Sequence, residues 1–104
     1  MKALVTVAVL LLATGAVIVH AQDAMVSAGQ AAFKESGCYN CHTIGKVGTP
    51  LASDLSHIGS KYPPDYMARW LRDPALQRPS AHMPALELTD AQVQALAAYL
   101  GSLQ

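Results

Sequence analysis

Charge is scarce in this chain. Only 13% of its 104 residues are Asp, Glu, Lys or Arg, seven basic against seven acidic, and none form a block. A surface without a charged run does not track a phosphate backbone or an anionic lipid face, so nucleic acid is excluded as a partner. Cysteine is nearly absent too, with one residue at 38 and one at 41. A bond between them would close too short a loop to stabilise much, which excludes a disulfide-stapled scaffold. Sustained apolar/polar alternation is missing, which argues against strands, and there is no internal repeat or low-complexity tract. The length allows one small domain at most, since single cores usually need about 100 residues.

What is present begins with an asymmetric N-terminus. Residues 1–21, "MKALVTVAVLLLATGAVIVHA", carry one charge, Lys2, and then an apolar run from Ala3 to Val19 interrupted only by Thr6, Thr14 and Gly15. A basic start, an apolar core and the small-x-small ending Val19-His20-Ala21 have the form of a signal peptide cut after Ala21. The alternative is a retained membrane anchor, because a bilayer needs about 20 apolar residues. Either way residues 22–104 are exported, which in a bacterial cell means the periplasm. That exported part carries six basic and seven acidic residues, a formal charge of minus one. So small a domain normally needs a disulfide, a metal or a cofactor to hold it together.

The remaining pattern is helical. "MVSAGQAAFKESG" (25–37) predicts an alanine-rich first helix stopped by Ser36 and Gly37. From 38 to 61 the density of Gly, Pro and Ser predicts loop. "PPDYMARWLRDP" (63–74) predicts a helix started by Pro63 and Pro64 and closed by Pro74. "LQRPSAHMPAL" (76–86) reads as another loop. In "TDAQVQALAAYLGSL", Thr89 and Gln92 have capping-box spacing, and Val93, Leu96, Ala97 and Leu100 form one apolar stripe before Gly101.

Both cysteines and one histidine fall within "CYNCH", residues 38–42. In a helical turn, positions i and i+3 face the same side, so Cys38 and Cys41 present two sulfurs to one flat object while His42 is carried to its face. Cys-x-x-Cys-His is the attachment signal for a c-type haem, with thioether bonds to two vinyl groups and an imidazole on the iron. A thioredoxin-like pair would need a preceding strand, and a zinc site would need two further ligands near by; the chain supplies neither. For the second axial position Met83 stands out, in a loop constrained by Pro79 and Pro84, whereas Met67 sits in a helix beside Trp70 and Leu71 as a packing residue would. His57 and His82 are rivals for that position.

Taken together, residues 24–104 resemble a class I c-type cytochrome. Members of that family cross their first and last helices through a glycine and an aromatic four later, against a leucine and an aromatic three later. Gly29 and Phe33 correspond to the first pair, Leu96 and Tyr99 to the second. The resemblance implies an all-α cytochrome c fold, three to four helices around one covalently attached haem c, with the N- and C-terminal helices crossing. It implies Cys38 and Cys41 as thioether residues, His42 as proximal ligand and Met83 as distal ligand. A Gly-Pro step in the family supplies the carbonyl that orients the proximal histidine; here "VGTPLASDL" makes Pro50 the candidate. The stretch "DPALQRPSAHMPALELTDAQVQALAAYL" is also similar to the end of haem domains fused to cytochrome oxidase subunit II. That similarity implies Trp70 against the haem with its N–H toward a propionate; the alternative for Trp70 is an ordinary core aromatic.

The function implied is electron carriage. With His and Met on the iron no substrate reaches it, so the expectation is a one-electron carrier of raised potential and not an enzyme. Redox partner proteins are the expected partners, a donor and a terminal oxidase or reductase, met transiently by a monomer. The alternatives are a haem c subunit anchored in a respiratory membrane complex by residues 1–21, and a haem-based gas sensor.

Overall fold

The computed structural model describes residues 20–104, so most of the expected targeting segment, residues 1–19, lies outside it. Helix α1 runs over residues 20–35. It is followed by the short strands β1, Thr43–Ile44, and β2, Val47–Gly48, and then by α2, Pro64–Arg72, α3, Pro74–Gln77, and α4, Asp90–Ser102. Single 3-10 turns occupy Cys38–Asn40 and Ile58–Ser60. The chain is therefore mostly helical, as expected. Among the described residues, no helix is long and apolar enough to cross a membrane.

Three local details depart from the sequence reading. α1 is already helical at residue 20, ahead of the start expected at Met25, because Gln22, Asp23 and Ala24 present no helix breaker. The stretch expected to be loop contains an antiparallel ladder, Thr43 opposite Gly48 and Ile44 opposite Val47. Two-residue strands are too short to show any alternation. Gly45 and Gly48, with φ of 60° and 107°, let the chain reverse there. Finally, Pro74 does not simply end α2. Asp73 caps a new turn by accepting from the backbone N–H of Leu76 at 3.3 Å, and Pro74 takes the first helical position, where its missing N–H costs nothing.

α4 is the centre of the core. Thr89 and Gln92 close the expected capping box: Gln92 N–H donates to Thr89 Oγ1 at 3.1 Å, and Thr89 N–H donates to Gln92 Oε1 at 2.9 Å. The stripe it starts is buried, with Val93, Leu96, Ala97 and Leu100 packed against Met67, Ala68 and Leu71 of α2. Full burial of one such side chain contributes about 1.5–3 kcal/mol, so this face outweighs any single surface contact. An exposed Arg72–Asp90 pair at 3.5 Å adds little between the same two helices.

α1 crosses α4 at Gly29. A Cβ on that residue would run into the Ala95 carbonyl and lie 2.6 Å from Tyr99 Cβ, so the backbones approach as only glycine permits. Phe33 then packs edge-on to Tyr99 with ring centroids 5.9 Å apart, and Leu96 is completely buried beside them. The expected crossing is present. The atoms closest to Gly29, however, belong to Ala95 and Tyr99, because helix axes this close meet backbone to backbone.

Candidate haem site

The motif turn grows directly out of the end of α1. Gly37 adopts a left-handed φ of 77°, and the Cys38–Asn40 turn follows, with the N–H groups of Cys41 and His42 donating to the Cys38 carbonyl at 3.2 and 3.0 Å. Cys38 is half-buried, Cys41 is exposed, and no disulfide joins them. Burial pushes the Cys38 thiol up, and the neighbouring Cys41 adds to the rise.

The chain beyond the hairpin folds back onto this turn through main-chain bonds. Ala52 N–H donates to the Cys41 carbonyl at 2.7 Å, Thr49 N–H to that of His42 at 3.2 Å, and Leu55 N–H to that of Thr43 at 2.8 Å. Just beyond, Asp54 is exposed and held below the usual carboxylate range by the Ser56 hydroxyl and backbone N–H. The return places the Ser53 carbonyl 2.7 Å from His42 Nδ1. A carbonyl can only accept, so Nδ1 carries the proton and Nε2 keeps its lone pair for a ligand. Pro50, the candidate for this orienting role, is exposed and does not line the cavity; the carbonyl that meets His42 comes from Ser53, three residues later. Nothing in the side-chain pattern marks Ser53, because it acts through its backbone.

Residues from the loop before α4 line the same cavity as the motif. Cys38, Cys41, His42, Trp70, His82 and Met83 all line one cavity of about 650 Å³, whose walls include Phe33, Leu55, Leu71, Leu96 and Leu100. Met83 is partly buried against the core, while His82 is exposed. His57 is elsewhere: its Nδ1 lies 2.8 Å from the Gln104 carbonyl, and it does not line the cavity. Trp70 reaches across from α2, and its Nε1–H donates to Met83 Sδ at 3.2 Å. The contact involves the same indole N–H that the resemblance assigned to a propionate.

Compared with protein families, residues 26–104 match the family described as cytochrome c. The chain belongs to the cytochrome c family. No curated protein matches it. The cofactor is accordingly a covalently attached haem c, and Cys38 and Cys41 stand in the Cys-x-x-Cys-His pattern that takes it.

The residues of this cytochrome fit that group by their chemistry. Two thiols line the cavity from one turn, an imidazole has its Nδ1–H committed and its Nε2 free, and a thioether lines it from the loop before α4. The apolar walls suit a large, flat, apolar occupant that keeps the core leucines from water.

Proposed function

We propose that the protein is a one-electron carrier of the periplasm, with His42 and Met83 as the two axial ligands of a single haem c. As a member of its family it is a haem-binding electron carrier; the ligand pair, the compartment and the partners are the proposal. The observation that carries it is the hydrogen bond from His42 Nδ1 to the Ser53 carbonyl, which leaves Nε2 as the ring nitrogen without that partner, in a residue that lines the same cavity as Met83. When bound, the haem supplies a reversible Fe(III)/Fe(II) couple, shifted upward by a thioether ligand. The chain does the rest: Ser53 fixes the imidazole tautomer, and the wall of Phe33, Leu71, Leu96 and Leu100 excludes water from the cavity. With His42 and Met83 both on the iron, no coordination site would be left for a substrate, which would speak against enzymatic chemistry.

Met83→Ala tests the ligand pair. The haem should stay attached while the iron becomes able to bind carbon monoxide and its potential falls. If His82→Ala produces these changes and Met83→Ala does not, the distal ligand is misassigned.

The anchored-subunit reading draws support from α1, which runs without a break through Ala21, the expected end of the leader. Intact mass separates the two. A soluble species beginning at Gln22 and heavier by one haem marks a diffusible carrier, and a full-length haem-bearing species confined to membranes marks an anchored subunit of a larger respiratory assembly. The electron acceptor proposed is a terminal oxidase, as the expected resemblance of residues 73–100 to oxidase-linked haem domains implies.

A further inference from the structure

The oxygen that meets His42 belongs to the peptide between Ser53 and Asp54. Around that peptide the main chain is tied to the motif side by Ala52 N–H on the Cys41 carbonyl and by Leu55 N–H on the Thr43 carbonyl. Just after it, side chains take over. Asp54 Oδ1 accepts from the Ser56 N–H at 3.0 Å, closing a turn in which the carboxylate imitates a backbone carbonyl, and from the Ser56 hydroxyl at 2.6 Å. The same hydroxyl accepts from the Gly45 N–H, eleven residues earlier, at 2.7 Å. Gly45 stands at the reversal between β1 and β2, and β1 begins one residue after His42.

These groups form one directed chain, from the Gly45 N–H through the Ser56 hydroxyl to the Asp54 carboxylate. Each bond polarises the next, and the last is strengthened by ending on an ionised acceptor. Gly45 and Asp54 are exposed, so the chain adds nothing to the core. What it fixes is the path of residues 53–56 against the hairpin. We infer that Asp54 and Ser56 are positioning residues for the imidazole: they hold the Ser53 carbonyl on the His42 Nδ1–H and thereby set how strongly Nε2 donates to a metal. The inference rests on His42 being an axial ligand. An imidazole whose Nδ1–H is firmly accepted is the more basic ligand, which favours Fe(III).

Ser56→Ala in the haem-loaded protein tests this, because it opens the chain and leaves every charge in place. Exchange of the His42 Nδ1–H with water, followed by nitrogen-15 NMR of the reduced protein, should quicken by up to about fivefold, the measure of one neutral hydrogen bond. A fivefold shift of the redox equilibrium toward Fe(II) is, at 59 mV per tenfold for one electron, a rise in potential of up to about 40 mV. Ser56→Thr keeps the hydroxyl and should return both readouts to wild-type values. Should Ser56→Ala fail to fold, Asp54→Asn weakens both bonds to Ser56 without removing either, and a smaller quickening of the same exchange is expected.

Wild-type exchange and potential in folded Ser56→Ala would overturn the role of Asp54 and Ser56 while leaving His42 ligation intact. Equal changes in Ser56→Thr would also overturn it, since the hydroxyl would not be their cause. Histidine 42 ring protons left unshifted by the haem in the wild-type protein would overturn His42 ligation itself, and this inference with it.

Discussion

Replacing Gly29 by alanine should damage this fold more than its size suggests. The added methyl carbon would collide with the Ala95 carbonyl and lie 2.6 Å from Tyr99 Cβ, roughly an ångström inside ordinary contact distance. Both obstacles are fixed: one is backbone, the other is the first carbon of a buried tyrosine, so neither can rotate away. α1 and α4 must then separate, loosening Phe33 and Leu96 as well. Overpacking of this kind costs about 1–3 kcal/mol, and a rigid obstacle on each side puts this site at or beyond the upper end. Alanine returns about 1 kcal/mol through its better helix propensity. The net loss is about 2 kcal/mol, which in a domain of 60–100 residues lowers Tm by about 8–16 °C. Thermal unfolding of the haem-loaded protein, followed by circular dichroism, measures it. An unchanged or raised Tm would refute the close crossing.

Two further outcomes follow from the described geometry. Burial, reinforced by Tyr39, raises the Tyr99 hydroxyl above its ordinary value of 10.0, so the folded state holds that proton longer than the unfolded chain does. The associated stability is complete below pH 10 and declines as pH rises further, and denaturant titrations should show a smaller alkaline loss in Tyr99→Phe than in the wild type. At Gly48, with φ of 107°, a Cβ would meet the His42 carbonyl and come within 2.9 Å of the Tyr39 ring. Gly48→Val should therefore distort the attachment turn, and the fraction of chains carrying covalent haem, read by intact mass, should drop while Gly45→Val, at a position with open space around it, retains more.

The parts of this structure legible in the sequence were those encoded by side chains at fixed spacing. Thr89 and Gln92 declared the start of α4 and the Val93–Leu100 stripe declared its buried face, while the close crossing at Gly29 and Phe33 was legible only through the family resemblance. Cys38, Cys41 and His42 declared a cofactor by type and spacing. What escaped was written in the main chain. Ser53 orients His42 through a carbonyl, and a carbonyl is present at every position; only the return of residues 49–55 selects which one arrives. The β1–β2 ladder depends likewise on two positive-φ glycines within a region dense in glycine. The Trp70 to Met83 contact was illegible for a different reason, since it joins a helix to a loop whose path is set by neither residue.

The crossing at Gly29 also bears on the order in which the molecule can be assembled. The attachment turn is held by bonds among residues 37–55, all close along the chain, so little loop entropy opposes its closure. The α1–α4 contact joins residues 29 and 95, near the two ends of the described chain, and cannot exist until α4 has been synthesised. A growing chain can thus present its two thiols and its imidazole on a locally closed turn while its core is still open. Covalent attachment is best suited to that interval, before the last helix docks and limits access to the cavity from the α4 side.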